Sequence, residues 1–590
     1  MLFRATLIIM ILLILMASFI SRVFGQVIED RTPLFTLHCL INSTKPGDLA
    51  AATIWKEDLA KMGIDLRLEV LDPVAISSRM WGESWNKRWE EGGWDLTAPT
   101  MFTYIWDPTS LVWWESCWTA WGLLPHGWNN MGWTNARADM LVRDFFRTFN
   151  ETKRRELMYE WQRIFVEDPP VILCFYPYFV VLHNPKITGF QAWRVCGSEG
   201  FDMYYDLNYE GKTEDDFIYI KWMTSVDTGL TRGWNPFFVD GHPAWASFHG
   251  LLSMVETEKG YKLAPLIAKS WEWSEDCMSM TFYLRDDVYW HDGVKLTAED
   301  VVFSIEAALD PATGATISGD LIPVIDHAEA LNETTVVIYL KEIYPDLPCL
   351  MSTYHFFVVP KHVLGNVPHS EWKTHETNTE GGKLPGCGPY KFKEWVKGQY
   401  WVLEAFDGYF GGRPFIDEII FRVIPDVSTA LMALEAGEID VIPEYPAGEL
   451  MAEYRRLKDE GKVAISPQRK PGLGFIYVNR NHPILANRHV VRALWYALNL
   501  PRIHEEVYFG YGQIANSPIH PMMPYYNPNN TVPTYDLNAA RHELELAGYI
   551  WPRRITVPFE VYYVQVVGAA VGGAIVAAAT TYAVTRKKSG

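Results

Sequence analysis

Four runs of residues decide how this chain is read: Leu263-Ala264-Pro265-Leu266-Ile267-Ala268-Lys269-Ser270-Trp271-Glu272, Thr281-Phe282-Tyr283-Leu284-Arg285, Trp290-His291-Asp292-Gly293 and Leu296-Thr297-Ala298-Glu299-Asp300-Val301-Val302-Phe303-Ser304. Outward from them, helical and strand signals alternate. Asp48 is expected to cap a helix with Ala51, Trp55, Leu59 and Met62 on one face, and Gly63 to end it. Ile64, Leu66, Leu68 and Val70 then alternate as a strand. A second helix is expected from Asn150, carrying Leu157, Trp161, Ile164 and Phe165. Asp168-Pro169-Pro170 stops it before a strand of Val171, Leu173 and Phe175. Residues 428–436 read as a helix closed by Gly437, with a short strand at 439–442. This alternation is the α/β class. The polar, acidic stretch 205–216 is the best junction.

Composition narrows the function. At 590 residues the chain exceeds one compact core, so two or more lobes are expected. A formal charge of -19 repels phosphate backbones and argues against a nucleic-acid partner. Twenty-five Trp, 30 Tyr and 29 Phe are enough both to fill cores and to build ligand-contacting walls. Seven Cys occur without a CxxC pair, which argues against a zinc ribbon or a thioredoxin-like site. Residues 1–25, with Arg4 and an apolar run from Leu7 to Ala17, read as a signal peptide or an N-terminal anchor. Val564 to Val584 is free of charge, and Arg586, Lys587 and Lys588 follow. A transmembrane helix is expected over 564–585, with its C-terminus cytoplasmic and the binding domain outside the cell membrane. Asn42-Ser43-Thr44, Asn150-Glu151-Thr152, Asn332-Glu333-Thr334 and Asn529-Asn530-Thr531 are glycosylation sequons, compatible with export.

The 263–304 runs resemble the opening motifs of the family 5 solute-binding proteins of ABC importers, which bind oligopeptides, dipeptides or nickel. Gly388-Pro389-Tyr390-Lys391-Phe392, Ala430 to Val441, Asn479, Arg492-Ala493-Leu494, Tyr496-Ala497-Leu498-Asn499 and Ala547-Gly548-Tyr549 are similar to that family's later motifs, in its order. Elements that the family places after the last of these stand at the front here. They are Ala60-Lys61-Met62-Gly63-Ile64-Asp65-Leu66, Gly93-Trp94-Asp95-Leu96, Asp107-Pro108 and the segment from Ile164 to Cys174. The resemblance implies a circular permutation, with residues 30–210 supplying the family's C-terminal part and 215–550 its N-terminal part. Two fused partial copies are the rival arrangement. It implies a two-lobed periplasmic-binding-protein type II (class C) fold with an extra subdomain, closing on ligand. Ile555 to Tyr563 is expected to be a second version of the strand at Leu34–Ile41, competing for or sharing one sheet edge.

The resemblance further implies a small solute, peptide or oligosaccharide, and ABC permease subunits as partners, with no cofactor and no metal. Peptide-binding relatives hold the ligand's amino terminus with an acidic residue at a position that is Tyr104 here, and this departure weakens the oligopeptide assignment. Eleven of the 25 Trp lie between Trp81 and Trp133. Trp81, Trp85 and Trp89 would stack on one helix face as core. Trp106, Trp113 and Trp114 lie in the part that lines the ligand lobe in relatives. Trp234 and His249 are the candidates on the other lobe, and Asn479 completes the set. No GxSxG, HExxH or P-loop is present, so an extracellular hydrolase lacks its machinery. The expected function is an extracytoplasmic receptor that delivers oligopeptide-like solutes to a permease. The alternatives are an oligosaccharide receptor of the same family and a membrane-tethered sensor.

Overall fold

The computed structural model describes residues 26–557, apart from 44, 100–102, 105–128, 177, 191–203, 214, 226, 232, 239–245, 258–259, 354, 445–449 and 470–471. The expected N-terminal leader, the expected transmembrane helix and Trp106, Trp113 and Trp114 lie outside the described residues. Among the described residues, no helix is long and apolar enough to cross a membrane.

One lobe is built on a seven-stranded sheet in the order 390–396, 400–405, 418–423, 219–224, 441–444, 178–183, 464–469. Its strands alternate sides with the period of two that strands require. Trp222, Phe421 and Val441 pack on one face. Met223 and Ile442 pack on the other, with Val180 and Leu182. The strand Tyr178–His183 comes from the front of the chain, yet it is interior. It pairs antiparallel with Val441–Glu444 on one side and Ala464–Arg469 on the other.

The second lobe interleaves front and back in the same way. A four-stranded sheet runs 513–514, 171–176, 473–477, 103–104. Beside it, a parallel sheet runs 64–71, 35–42, 96–97, and Leu96 bridges to Val478. The chain passes from one lobe's sheets to the other's at two places, between Tyr176 and Tyr178 and between Arg469 and Leu473. An extra four-stranded sheet, 268–273, 279–284, 335–340, 325–332, completes the architecture. Its helix Ala298–Leu309 starts with the capping box of Thr297 and Asp300.

Several expected elements stand, and some shift. The first helix is Pro46–Ala60, with Lys45 as its N-cap and Pro46 at its start. Asp48 therefore sits in the first turn and is not the cap. Gly63 has φ +80, and a Cβ there would lie 2.4 Å from the Trp551 ring, so glycine is required. The second helix is Glu151–Glu167, and the Asn150 side chain accepts from Lys153 N at 2.9 Å. The strand after it, Val171–Tyr176, is buried along its whole length. The later helix is Val427–Glu435, and its strand is displaced to Val441–Glu444. Trp81, Trp85 and Trp89 do not share a helix. The helix Pro73–Trp81 stops at Gly82, and Trp89 opens a separate short turn, Trp89–Glu91. The strand Arg553–Val557 does not compete with Phe35–Asn42. It pairs with Gln26–Asp30 in a separate two-stranded ribbon.

A buried ion pair latches the front of the chain to the back. The Arg154 guanidinium donates to both Asp346 oxygens, at 2.8 and 2.7 Å, and to the Tyr525 hydroxyl at 3.0 Å. It also lies 4.0 Å over the Phe145 ring. Removing one partner would leave the other charge desolvated and unpaired. D346N is expected to lower unfolding stability by about 3–5 kcal/mol in urea titration. Replacing both partners with apolar residues should recover much of that loss.

Candidate functional site

The parallel sheet of the second lobe places its own binding crevice. From the central strand Phe35–Asn42 the chain crosses through helix Pro46–Ala60 to Ile64–Leu71 on one side. It then returns through helix Pro73–Trp81 to Leu96–Thr97 on the other side. Where connections diverge in this way, the carboxyl ends of the strands leave an open crevice. A cavity of about 390 Å³ lies there. Leu40, Ile76, Met80, Trp81, Ala98 and Phe475 line it with apolar surface, while Asn42, Ser77 and Thr97 supply sparse polar groups. Lys45 and Asp48, at the start of the first helix, add one charge of each sign. The ring of Tyr477 stands edge-on to Trp81 at 6.4 Å. The Thr97 hydroxyl accepts from Tyr477 N at 3.0 Å, so the cavity wall is stitched between front and back segments. Few convergent polar groups on apolar walls is the composition of a small-molecule site.

Among the described residues, those singled out from sequence as ligand contacts do not line this cavity. Tyr104 pairs with Leu473 at the edge of the four-stranded sheet. Trp234 is nearly buried in the other lobe, packed edge-on against Phe392 at 5.0 Å and Trp395 at 5.2 Å. His249 is fully buried and shares a 3.0 Å hydrogen bond between Nε2 and the Tyr409 hydroxyl. Burial depresses its imidazolium to about 3. His291, whose Nε2 lies 2.9 Å from the Gly388 carbonyl oxygen, is depressed to about 4 by the same cause. In this conformation Trp234 and His249 act as packing groups.

Asn479 is also fully buried, and its hydrogen bonding is saturated within the protein. Its Nδ2 donates to Lys87 O and Trp94 O, each at 2.8 Å, and its Oδ1 accepts from Asn481 N at 3.0 Å. It clamps the 87–95 loop behind the cavity. Asp95 assists by accepting from His38 N at 2.9 Å and Trp89 N at 3.0 Å. Glu90, Asp95 and His482 come within 4.8 Å of one another there. However, His482 Nδ1 accepts from Ile484 N at 3.2 Å, so its neutral ring turns Nε2–H toward Asp95. An Nε2 that carries the proton offers no lone pair to a metal. Of the cavity residues, sequence periodicity flagged only Trp81, and it flagged it as core.

Two stability consequences follow from these groups. His249 and His291 are neutral in the folded state, whereas an unfolded His titrates near about 6.5. The unfolded chain binds more protons between these values, so stability is full above pH ~6.5 and falls as pH drops. The expected slope is about 1.4 kcal/mol per pH unit for each group between pH ~6 and ~4.5, read from urea midpoints. H249F should flatten part of that slope. N479A strands two buried carbonyls and should lower stability by about 1–3 kcal/mol, read in the same assay.

Comparison with known proteins bears on the back portion of the chain. Residues 262–577, more than half of it, match the family model for bacterial extracellular solute-binding proteins, family 5 Middle. The oligopeptide-binding protein AppA of Bacillus subtilis is 30% identical over 308 residues, covering 50% of this chain and 53% of that protein. The dipeptide-binding protein of Escherichia coli K12 is 30% identical over 351 residues, covering 56% and 64%. The chain thus spans a little over half to just under two thirds of these relatives' length. Among solved structures, B. subtilis AppA in complex with a nonapeptide aligns with TM-score 0.46 at 25% identity, covering 56% of this chain and 64% of that one. NikZ from Campylobacter jejuni in complex with Ni(L-His) aligns with TM-score 0.44 at 27% identity, covering 57% and 64%. With the motif order of residues 263–549 and this match in agreement, the chain belongs to the family 5 extracellular solute-binding proteins.

Proposed function

We propose that this protein is an extracytoplasmic receptor of an ABC importer that seats a bulky apolar group of an oligopeptide-like solute in the 390 Å³ cavity. The carrying observation is the cavity itself. It lies at the carboxyl ends of the second lobe's strands, and it is walled by residues 40–98 together with Phe475 and Tyr477. Its largely apolar lining favours an aromatic or aliphatic side chain, with Lys45, Asp48 and a few polar groups left to meet the ligand's polar atoms. Family membership supports importer delivery, and the relatives named for oligopeptides and dipeptides support a peptide-like solute. The two lobes, joined by two strand crossings, suit closure on a ligand.

We also read the chain as a circular permutation of the ordinary family order. Tyr549 packs on Phe35 at 5.0 Å, and Trp551 Nε1 donates to Thr32 O at 3.2 Å. The end of the family's N-terminal part thus abuts the start of its C-terminal part, as a cut-and-rejoined chain requires. The ribbon pairs Gln26–Asp30 with Arg553–Val557, so the two ends of the permuted domain lie side by side.

The test is a thermal-shift screen of the purified protein against peptides, oligosaccharides and nickel. A hydrophobic peptide at 100 times its Kd should add about 2.7 kcal/mol of stability. A response confined to sugars or to nickel would remove the peptide assignment. S77W, which fills the cavity, should weaken the bound peptide by about tenfold or more, roughly 1.4 kcal/mol, with the ligand-free melting point little changed. Unaltered affinity would place the site elsewhere.

A further inference from the structure

We infer that Asn332 is an N-glycan acceptor and that its glycan covers the open edge of the extra sheet. The inference rests on the extracytoplasmic reading given above, and its own support is geometric. All four sequons of the chain carry Thr at the third position, but the fold treats them differently. Asn332 ends the strand Ile325–Asn332, and its partner Thr335 opens the next strand, so Glu333 and Thr334 form a two-residue hairpin tip. Asn332 is exposed there. Its Oδ1 accepts from Thr334 N at 2.9 Å and from the Thr334 hydroxyl at 3.2 Å. This closed turn holds the hydroxyl against the side-chain amide whose nitrogen must react, on an exposed asparagine.

The sites at Asn150 and Asn529 lack this arrangement, and Thr44 of the Asn42 site lies outside the described residues. Asn150 caps helix Glu151–Glu167 through its own Oδ1, so Thr152 lies inside a helix. Residues two apart on a helix do not face each other. Asn42 is partly buried and lines the cavity, where a glycan would take the space of the solute. Asn529 is exposed, but no hydrogen bond joins it to Thr531 among the described residues.

The position also gives the modification a physical use. The strand Ile325–Asn332 is the outer strand of its sheet. Leu331, beside the acceptor, is 59% exposed. An outer strand with an exposed leucine is a template for pairing with another chain, and a bulky hydrophilic group at its end blocks that approach. In the transfer, the Asn332 amide nitrogen attacks the anomeric carbon of a polyprenyl-phosphate-linked oligosaccharide. The new N–C bond forms as the C–O bond to phosphate breaks. The lipid phosphate leaves with the electron pair, and the amide proton passes to the transferase base.

The test is peptide mapping by mass spectrometry of the full chain purified from the cells that make it, together with protease shaving of intact cells. The expected result is a glycan on the peptide spanning 325–341, released by peptide N-glycosidase, and an unmodified Asn42 peptide. N332Q and T334V should each remove the mass, the second while leaving the asparagine in place. Both should also increase aggregation on heating. A shaved, externally exposed chain with bare Asn332 would overturn the acceptor assignment alone. Full protection in intact cells would overturn the extracytoplasmic reading and the assignment with it.

Discussion

One pairing requirement organises this molecule. Val441–Glu444 and Ala464–Arg469 lie on either side of a gap in the seven-stranded sheet, and neither bonds the other across it. Tyr178–His183 fills the gap with hydrogen bonds on both edges and buries Val180, Val181 and Leu182 between two cores. Without it, two strand edges and their apolar faces would meet water. The reverse dependence holds in the second lobe. There Val171–Tyr176, from the front, is sandwiched between Leu473–Tyr477 and Gln513–Ile514 from the back. Each lobe is therefore incomplete without both portions of the chain, whichever order the sequence presents them in.

The same strands carry the interlobe connection. The 171–176 strand continues past residue 177 as 178–183, and 464–469 continues as 473–477. The two runs pair with each other in both lobes. Among the described residues, these are the two places where the chain passes between the sheets of the two lobes. The cavity lies in one lobe, against a strand, 473–477, that begins directly after a crossing.

Much of the fold was legible because its signals are local. The Asn150 cap, the Asp168-Pro169-Pro170 stop and the wholly apolar 171–176 strand are read from neighbouring residues, and each stands where expected. The motif order of 263–549 identified the family for the same reason. The site was poorly legible because it is not local. Ser77, Met80, Thr97 and Tyr477 are unremarkable in sequence and become a wall only when distant segments pair. The spacing of Trp81, Trp85 and Trp89 misled because Gly82 ends the helix. A Cβ at Gly82 would lie 2.4 Å from Ser78 O. His249 and Asn479 looked like contact residues because polarity is visible in sequence and burial is not. In the fold Asn479 is satisfied by the carbonyls of Lys87 and Trp94, and His249 meets Tyr409.

Hydrogen–deuterium exchange of the amides of Tyr178–His183 in the full chain tests the interleaved architecture most directly. The account predicts that they exchange only through global unfolding, with the same denaturant dependence as those of Tyr219–Thr224 and Glu418–Val423. Rapid exchange at 178–183, independent of denaturant while the other strands stay protected, would contradict it.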